Sequence, residues 1–362
     1  MRPPQKPTSS IKRWRILVIA FVVFLLVRRV WPSQSFELNQ EVVISQGDTL
    51  YGIYDKYLTT RQARSMRLYT KTHSEDAVML LQAGKYIYSG SYTPENFLQV
   101  LMDGPVVDYE DVKILEGRSI YDIDQYLADN HLADQGEYIA YVTDPESLQT
   151  IATKYDFVQE FFDTKPTPWI PVSLEGLLYP DTYRIDLSKN TVYQLVALQL
   201  RAFQDKVYTP YRSQISWFSQ QLRESSYEFD LRWYNIVTLA SILEKEERTN
   251  ANKPTIAGIF LNRIQQGMRI DADITLCYGL EESYTSCTPS IIVQHLKDSN
   301  NLYNTRVHSG LTPGPIANPS QASFDALLGF VPTSYLYYLH SSSGQIYYGT
   351  SLEEHNANKV HL

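Results

Sequence analysis

The chain has 362 residues, enough for two domains with proper cores, and a formal charge of −8. Seven of its 32 Lys and Arg lie in the first 30 residues, which hold no acid; the remainder sets 25 basic against 40 acidic side chains, a formal −15. A body that acidic does not bind nucleic acid, whose affinity comes from neutralised phosphates.

The N-terminus explains the split. Ile16 to Val27 is an uninterrupted apolar run of 12 residues, with Lys12, Arg13 and Arg15 before it and Arg28 and Arg29 after. A spanning helix needs ~20 residues, and the run reaches that only with Trp14 and Val30-Trp31 as interfacial anchors and snorkelling arginines. "RRVWPSQSF" offers no small-x-small cleavage site, so an uncleaved anchor over 14–31 is favoured over a signal peptide. Basic residues weigh on the near side, which puts a tail of residues 1–13 in the cytoplasm and the body outside.

From Phe36 to about Gly104 the sequence reads as a small module. "VVISQGDTLYGIYDKY" gives a strand, a Gly-Asp turn and a short helix capped by Asp48 or Thr49. "LQAGKYIYSGSYTPENFLQVLMDGP" repeats the logic, with a strand over Tyr86 to Tyr88 and Thr93 capping a helix over Pro94 to Met102. This turn–strand–cap–helix grammar resembles the start of a LysM-type wall-binding repeat, without that family's terminal Ile-Pro. Asp111 to Leu115 and the following "EGRSIYDIDQYLADNHL" predict strand, turn and helix, and 135–173 is largely helical up to a Pro-broken loop. Fold class is therefore α+β: anchor, small α/β module over 36–105, and a larger mixed domain over 106–362.

The second half carries the chemistry. It lacks a Gly-rich phosphate loop, HExxH and G-x-S-x-G, and its histidines are scattered, so neither metal nor Ser-His catalysis is expected. In "LASILEKEER" the apolar residues Ile236, Leu239, Ala240 and Leu243 follow helical spacing, then give way to Glu244, Lys245, Glu246, Glu247 and Arg248. Glu244 and Glu247 continue the apolar stripe while Lys245 points the other way. A second amphipathic helix, Pro254 to Gln266, ends at Gly267 and directs Arg263 inward, which wants Glu246 or Glu247 as partner. Gly310, Pro313, Gly314, Pro315 and Pro319 fix a rigid extended loop, suited to an extended ligand or to a plain connection. Cys277 and Cys287, ten apart, fit one local bridge in an exported body or two buried thiols.

The ordered set "EGLLYPDTY", "ASILEKE", "FLNRI..GM", "D.T..YG", "YNT" and "GL.PGPI.NP", over roughly Leu174 to Asp325, resembles the YceG-like family of endolytic murein transglycosylases. The resemblance implies that Glu244 is the catalytic acid; periodicity alone points rather to Glu247, nearer the middle of the stripe. It implies cleavage of the β-1,4 bond between N-acetylmuramic acid and N-acetylglucosamine inside nascent glycan strands. Glu244 protonates the leaving oxygen, then takes the proton of the muramic C6 hydroxyl as that oxygen closes on C1 to leave a 1,6-anhydro end. No second carboxylate, metal or organic cofactor is needed. Such an acid should be held neutral by desolvation, a shift from ~4.3 to about 6 costing roughly 2.3 kcal/mol, and Glu244→Gln should then leave the fold intact. Tyr303, Asn304 and Thr305 match the Y-N-T motif as candidates to orient sugar hydroxyls, with Asn262, Asp273 and Glu175 as further candidates for the cleft. The implied partners are glycan strands, the membrane and the peptidoglycan synthases. Asp271, Ile274 and Arg306 depart from the family pattern. Two other readings stay open: a non-catalytic wall-binding scaffold, and a hydrolase using Asp271 or Asp273 as second carboxylate.

Overall fold

Pairing of two nine-residue strands organises the first part of the chain. The computed structural model describes residues 35–73, 81–166, 172–224 and 231–362, and divides the chain between Asp108 and Tyr109. The expected anchor over 14–31 and the tail before it lie outside the described residues; among the described ones no helix is long and apolar enough to cross a membrane. β1 (Phe36–Ile44) pairs antiparallel with β2 (Gly84–Tyr92), Phe36 opposite Tyr92 and Ile44 opposite Gly84. Thr49 caps α1 (Leu50–Tyr57) by accepting from Gly52 N, and Thr93 caps α3 (Pro94–Asp103) by accepting from Asn96 N, as the sequence predicts. Between them lies α2 (Thr60–His73), which periodicity misses because its buried stripe is only Ala63, Met66 and Thr70. The core closes on Tyr54, Tyr88 and Phe97; Tyr88 stacks on Phe97 at 4.7 Å and the Tyr54 hydroxyl bonds Thr70 Oγ1 at 2.8 Å.

The second part is mixed α+β with little sheet. β3 (Tyr109–Lys113) pairs antiparallel with β4 (Thr182–Asp186). Then come α4 (Ile120–Asp129), capped by Ser119, with α5 (Glu137–Thr143), α6 (Pro145–Lys154) and α7 (Asp156–Asp163). α8 (Thr191–Phe203) runs through a π turn into α9 (Thr209–Glu224). The centre is α10 (Trp233–Glu246), packed by α11 (Lys253–Gln265), α12 (Asp273–Tyr278) and α14 (Gln321–Leu328), with α13 (Pro289–His295) outside. Every residue of α10 from Trp233 to Leu243 except Asn235 is buried, so it is a core helix and not a surface one. Ile236, Val237, Leu239, Ile242 and Leu243 are 0% exposed, each a contribution of about 1.5–3 kcal/mol. Gly267 ends α11 as expected: its N–H bonds Ile264 O at 3.0 Å and Met268 N bonds Arg263 O at 2.8 Å, a Schellman closure. A hairpin of β5 (Tyr337–His340) and β6 (Ile346–Gly349), then α15 (Leu352–Asn358), completes the chain.

Candidate active site

The stripe of α10 ends in acid because three different partners wait there. Glu244 turns to the start of α14. Its Oε2 accepts from Ser320 N (2.9 Å), Ser320 Oγ (2.6 Å) and Ser323 Oγ (2.7 Å). Its Oε1 meets the ammonium of Lys253 at 3.1 Å, and the two side chains are 7% and 1% exposed. Ser320 is the N-cap of α14 yet makes no capping bond with its own side chain; the carboxylate of Glu244 takes the N–H of Ser320 itself, at the helix end whose dipole favours an anion. Burial pushes Glu244 up, but the Ser320 and Ser323 bonds and the Lys253 charge outweigh it and hold the carboxyl below its ordinary value. The expected neutral acid is thus corrected: at rest Glu244 is ionised.

Glu246 and Glu247 face elsewhere. Glu246 Oε2 accepts from Tyr338 Oη at 2.7 Å, and Glu247 Oε2 lies 2.9 Å from His340 Nε2, so both fasten β5. Burial raises Glu246 in spite of that bond. Helical extrapolation fails at Glu247 because the helix has ended: Glu247 is the C-cap, extended at φ −134°. Arg263 does point inward, but it donates to backbone, Nε to Leu336 O (2.6 Å) and Nη1 to Ile270 O (2.5 Å). No carboxylate was needed. Lys245, on the opposite side as expected, donates to Gly117 O at 3.0 Å and sits 3.7 Å above the Tyr284 ring, where burial lowers its pKa.

Glu175 is 1% exposed, its Oε2 accepting from Ile120 N and its Oε1 from Asn318 Nδ2, both at 2.8 Å. Burial pushes it up to about 8 against these bonds, with Asp122 adding to the rise. Here, and not at Glu244, is a carboxyl that stays protonated near neutral pH. Asn318, 0% exposed, accepts from Gly176 N and Leu178 N and so ties the "EGLLYP" stretch to the Pro-rich loop. Gly176 has φ +88°, and a Cβ there would fall 2.6 Å from Val237 Cγ1 and 2.8 Å from Pro315, which only glycine avoids.

Of the Y-N-T residues, only Tyr303 lines the large cleft, a space of about 1390 Å³. Tyr121, Tyr278 and Tyr303 form one wall, with ring centroids 5.4 Å and 4.8 Å apart in sequence; Asn235, Asn301 and Pro313 also face it. Among the described residues lining it none is Lys or Arg, and Glu244 is not one of them. Asn235 and Glu244 lie nine residues apart on α10, about 13 Å along the axis.

The other candidates are engaged within the fold. Asn304 is 0% exposed and gives Nδ2 to the carbonyls of His295, Leu296 and Asp298. Thr305, 2% exposed, is bonded to Ala272 and Thr275. Asn262 gives Nδ2 to Thr333 O and Tyr335 O. Asp273 pairs with Arg306, which also reaches Asp271 Oδ1 at 3.5 Å. Two departures from the family pattern thus satisfy each other. Cys277 and Cys287 are bridged, their Cα atoms 5.8 Å apart, closing a loop that holds Tyr278 and Tyr284. Lys253, Asn318, Ser320 and Ser323 were missed; Asn318 lies within the quoted loop motif, and Lys253 gave no signal beyond a lysine at a helix start.

Fold and site together define a mixed α+β protein built around two buried carboxyls and a tyrosine-walled cleft, with no metal-holding cluster among the described residues. Residues 42–361 match the sequence profile of the YceG-like family, and the chain belongs to that family. It is similar to an endolytic murein transglycosylase of Bacillus subtilis strain 168, 26% identical over 278 residues, covering 77% of this chain and 72% of that protein. It is also similar to an endolytic murein transglycosylase of Streptococcus pneumoniae serotype 2, 26% identical over 295 residues; that match takes in 77% of this chain and half the length of the relative. A crystal structure of a YceG-like protein from Listeria monocytogenes shares the fold, with a TM-score of 0.57 at 24% identity, covering 89% of this chain and 99% of that one.

Proposed function

We propose that this chain is an endolytic murein transglycosylase that cuts the N-acetylmuramic acid–β-1,4–N-acetylglucosamine bond and leaves 1,6-anhydro ends, ending strand growth. The observation that carries the reading is the direction of Glu244. Of the three acids in the run, two are committed to the C-terminal hairpin, while Glu244 turns to the motif-bearing loop and is held by hydroxyls and an ammonium that can rearrange. Once protonated, Glu244 gives its proton to the leaving oxygen as the C1–O bond breaks. The resulting carboxylate then accepts the C6 hydroxyl proton while that oxygen bonds C1, so atoms balance without water. A cleft with a tyrosine wall, and with Asn235 and Asn301 facing it, suits the sugar rings and acetamido groups of a glycan strand, which an endo-acting enzyme must hold well away from the cut.

The hydrolytic alternative is weakened because Asp271 and Asp273 are both engaged by Arg306. Residues 14–31 are proposed as a single-pass anchor with an exported body, 36–105 as a wall-binding LysM-like module and 106–362 as the catalytic domain. Partner synthases of the same wall follow from a nascent substrate. Mass spectrometry of digested glycan strands tests the chemistry: anhydro ends are expected. Reducing ends would replace the reading with hydrolysis, and intact strands with the scaffold.

A further inference from the structure

We propose that Lys253 is the positioning residue of this site: its buried ammonium, seated on Oε1 of Glu244, decides whether that oxygen carries a proton. The inference rests on Glu244 being the acid of the proposed reaction. Lysine is almost never fully buried without a partner, and Lys253 is 1% exposed with Glu244 Oε1 at 3.1 Å. The two carboxylate oxygens are not equivalent. Oε2 is filled by three donors from the start of α14, two of them serine hydroxyls and one a backbone N–H. That leaves Oε1 as the atom to be protonated and to face a leaving oxygen, and Lys253 holds it.

The ammonium therefore opposes the first half of the reaction and favours the second. While it bonds Oε1, Glu244 is a base. To become an acid it must take up a proton there and release Lys253; when the leaving oxygen has taken that proton, the restored carboxylate draws Lys253 back. Lys245, next along the same helix, is turned away to Gly117 O and the Tyr284 ring. From α14 and its cap come the hydroxyls of Ser320 and Ser323 and the N–H of Ser320, all uncharged, and Glu246 beyond it is bound to Tyr338. Lys253 is thus the cation in contact, and cleavage should fall on the alkaline side as Glu244 loses its proton.

The test is a pH–rate profile on purified glycan strands, scored by anhydro ends, alongside ¹³C carboxyl titration of Glu244 in the full chain, with E244Q assigning the resonance. K253M should raise both the titration midpoint and the alkaline limb by about one to three pH units, the usual effect of losing a cation in contact; K253R should restore the wild-type profile. A folded K253M with both unmoved overturns the proposal. If K253M does not fold, K253Q takes its place on the same two readouts: a raised Glu244 midpoint supports the proposal and an unmoved one is fatal. An active E244Q would instead sink the reading of Glu244 as acid, whereas a dead E244Q with an unshifted K253M sinks only the role of Lys253.

Discussion

Glu175 and Glu244 meet the same end of one loop, at Asn318 and Ser320; both are nearly sealed from water, and they carry different charge states. Glu175 receives a backbone N–H and an amide N–H, has Asp122 nearby, and keeps its proton to about 8. Glu244 receives an ammonium and the free end of a helix, and gives its proton up below its ordinary value. Burial is the first influence on both. What separates them is the number and charge of the partners: Glu244 gathers the Ser320 hydroxyl and N–H, the Ser323 hydroxyl and the Lys253 ammonium, which together outweigh desolvation, whereas Glu175 has no cation beside it and its bonds do not.

The largest expected effect lies at Glu175. A carboxyl raised from about 4.3 unfolded to about 8 folded favours the native state fully below the lower value. That advantage is lost as pH climbs to the upper one, by up to about 5 kcal/mol. Glu175→Gln should flatten this decline in urea unfolding between those limits, at a cost of about 1 kcal/mol for the bond an amide NH₂ cannot accept. An equally steep decline in the variant would show that Glu175 is ionised after all. Glu244 runs the other way, its contribution present above the unfolded value and lost as pH falls through the lowered one.

Next in size, Glu244→Gln should destabilise the protein by about 3–5 kcal/mol, because it strands the Lys253 ammonium, and adding K253M should recover part of that. This reverses the expectation of an intact fold, which assumed a neutral acid. Cleavage should fall by at least ~10²–10⁴-fold, the worth of general acid catalysis. Unchanged urea midpoints would mean the pair is not ionic. Smaller again, Cys287→Ser should lower stability by about 2–3 kcal/mol, the scale for so short a ring. Because the ring carries Tyr278, a neighbour of Glu175 in the cleft wall, the same variant should weaken glycan binding while leaving the Glu244 titration in place.

The sequence by itself determined what local chemistry controls. The caps at Thr49 and Thr93, the core-facing stripe of α10, the end of α11 at Gly267 and the inward direction of Arg263 are all set by spacing and side-chain type within a few residues. The ordered motifs were enough to show the family. Tertiary structure decided the partners. Arg263 met carbonyls, which no sequence pattern displays, and Asn304, Thr305 and Asn262 were spent on backbone and not on the cleft. The charges of Glu175 and Glu244 depended on Ile120, Lys253, Asn318 and Ser320, groups 9 to 143 residues away along the chain. Periodicity gives the direction in which a side chain points; whether it keeps its proton depends on the few ångströms beyond its tip, and only folding fills those.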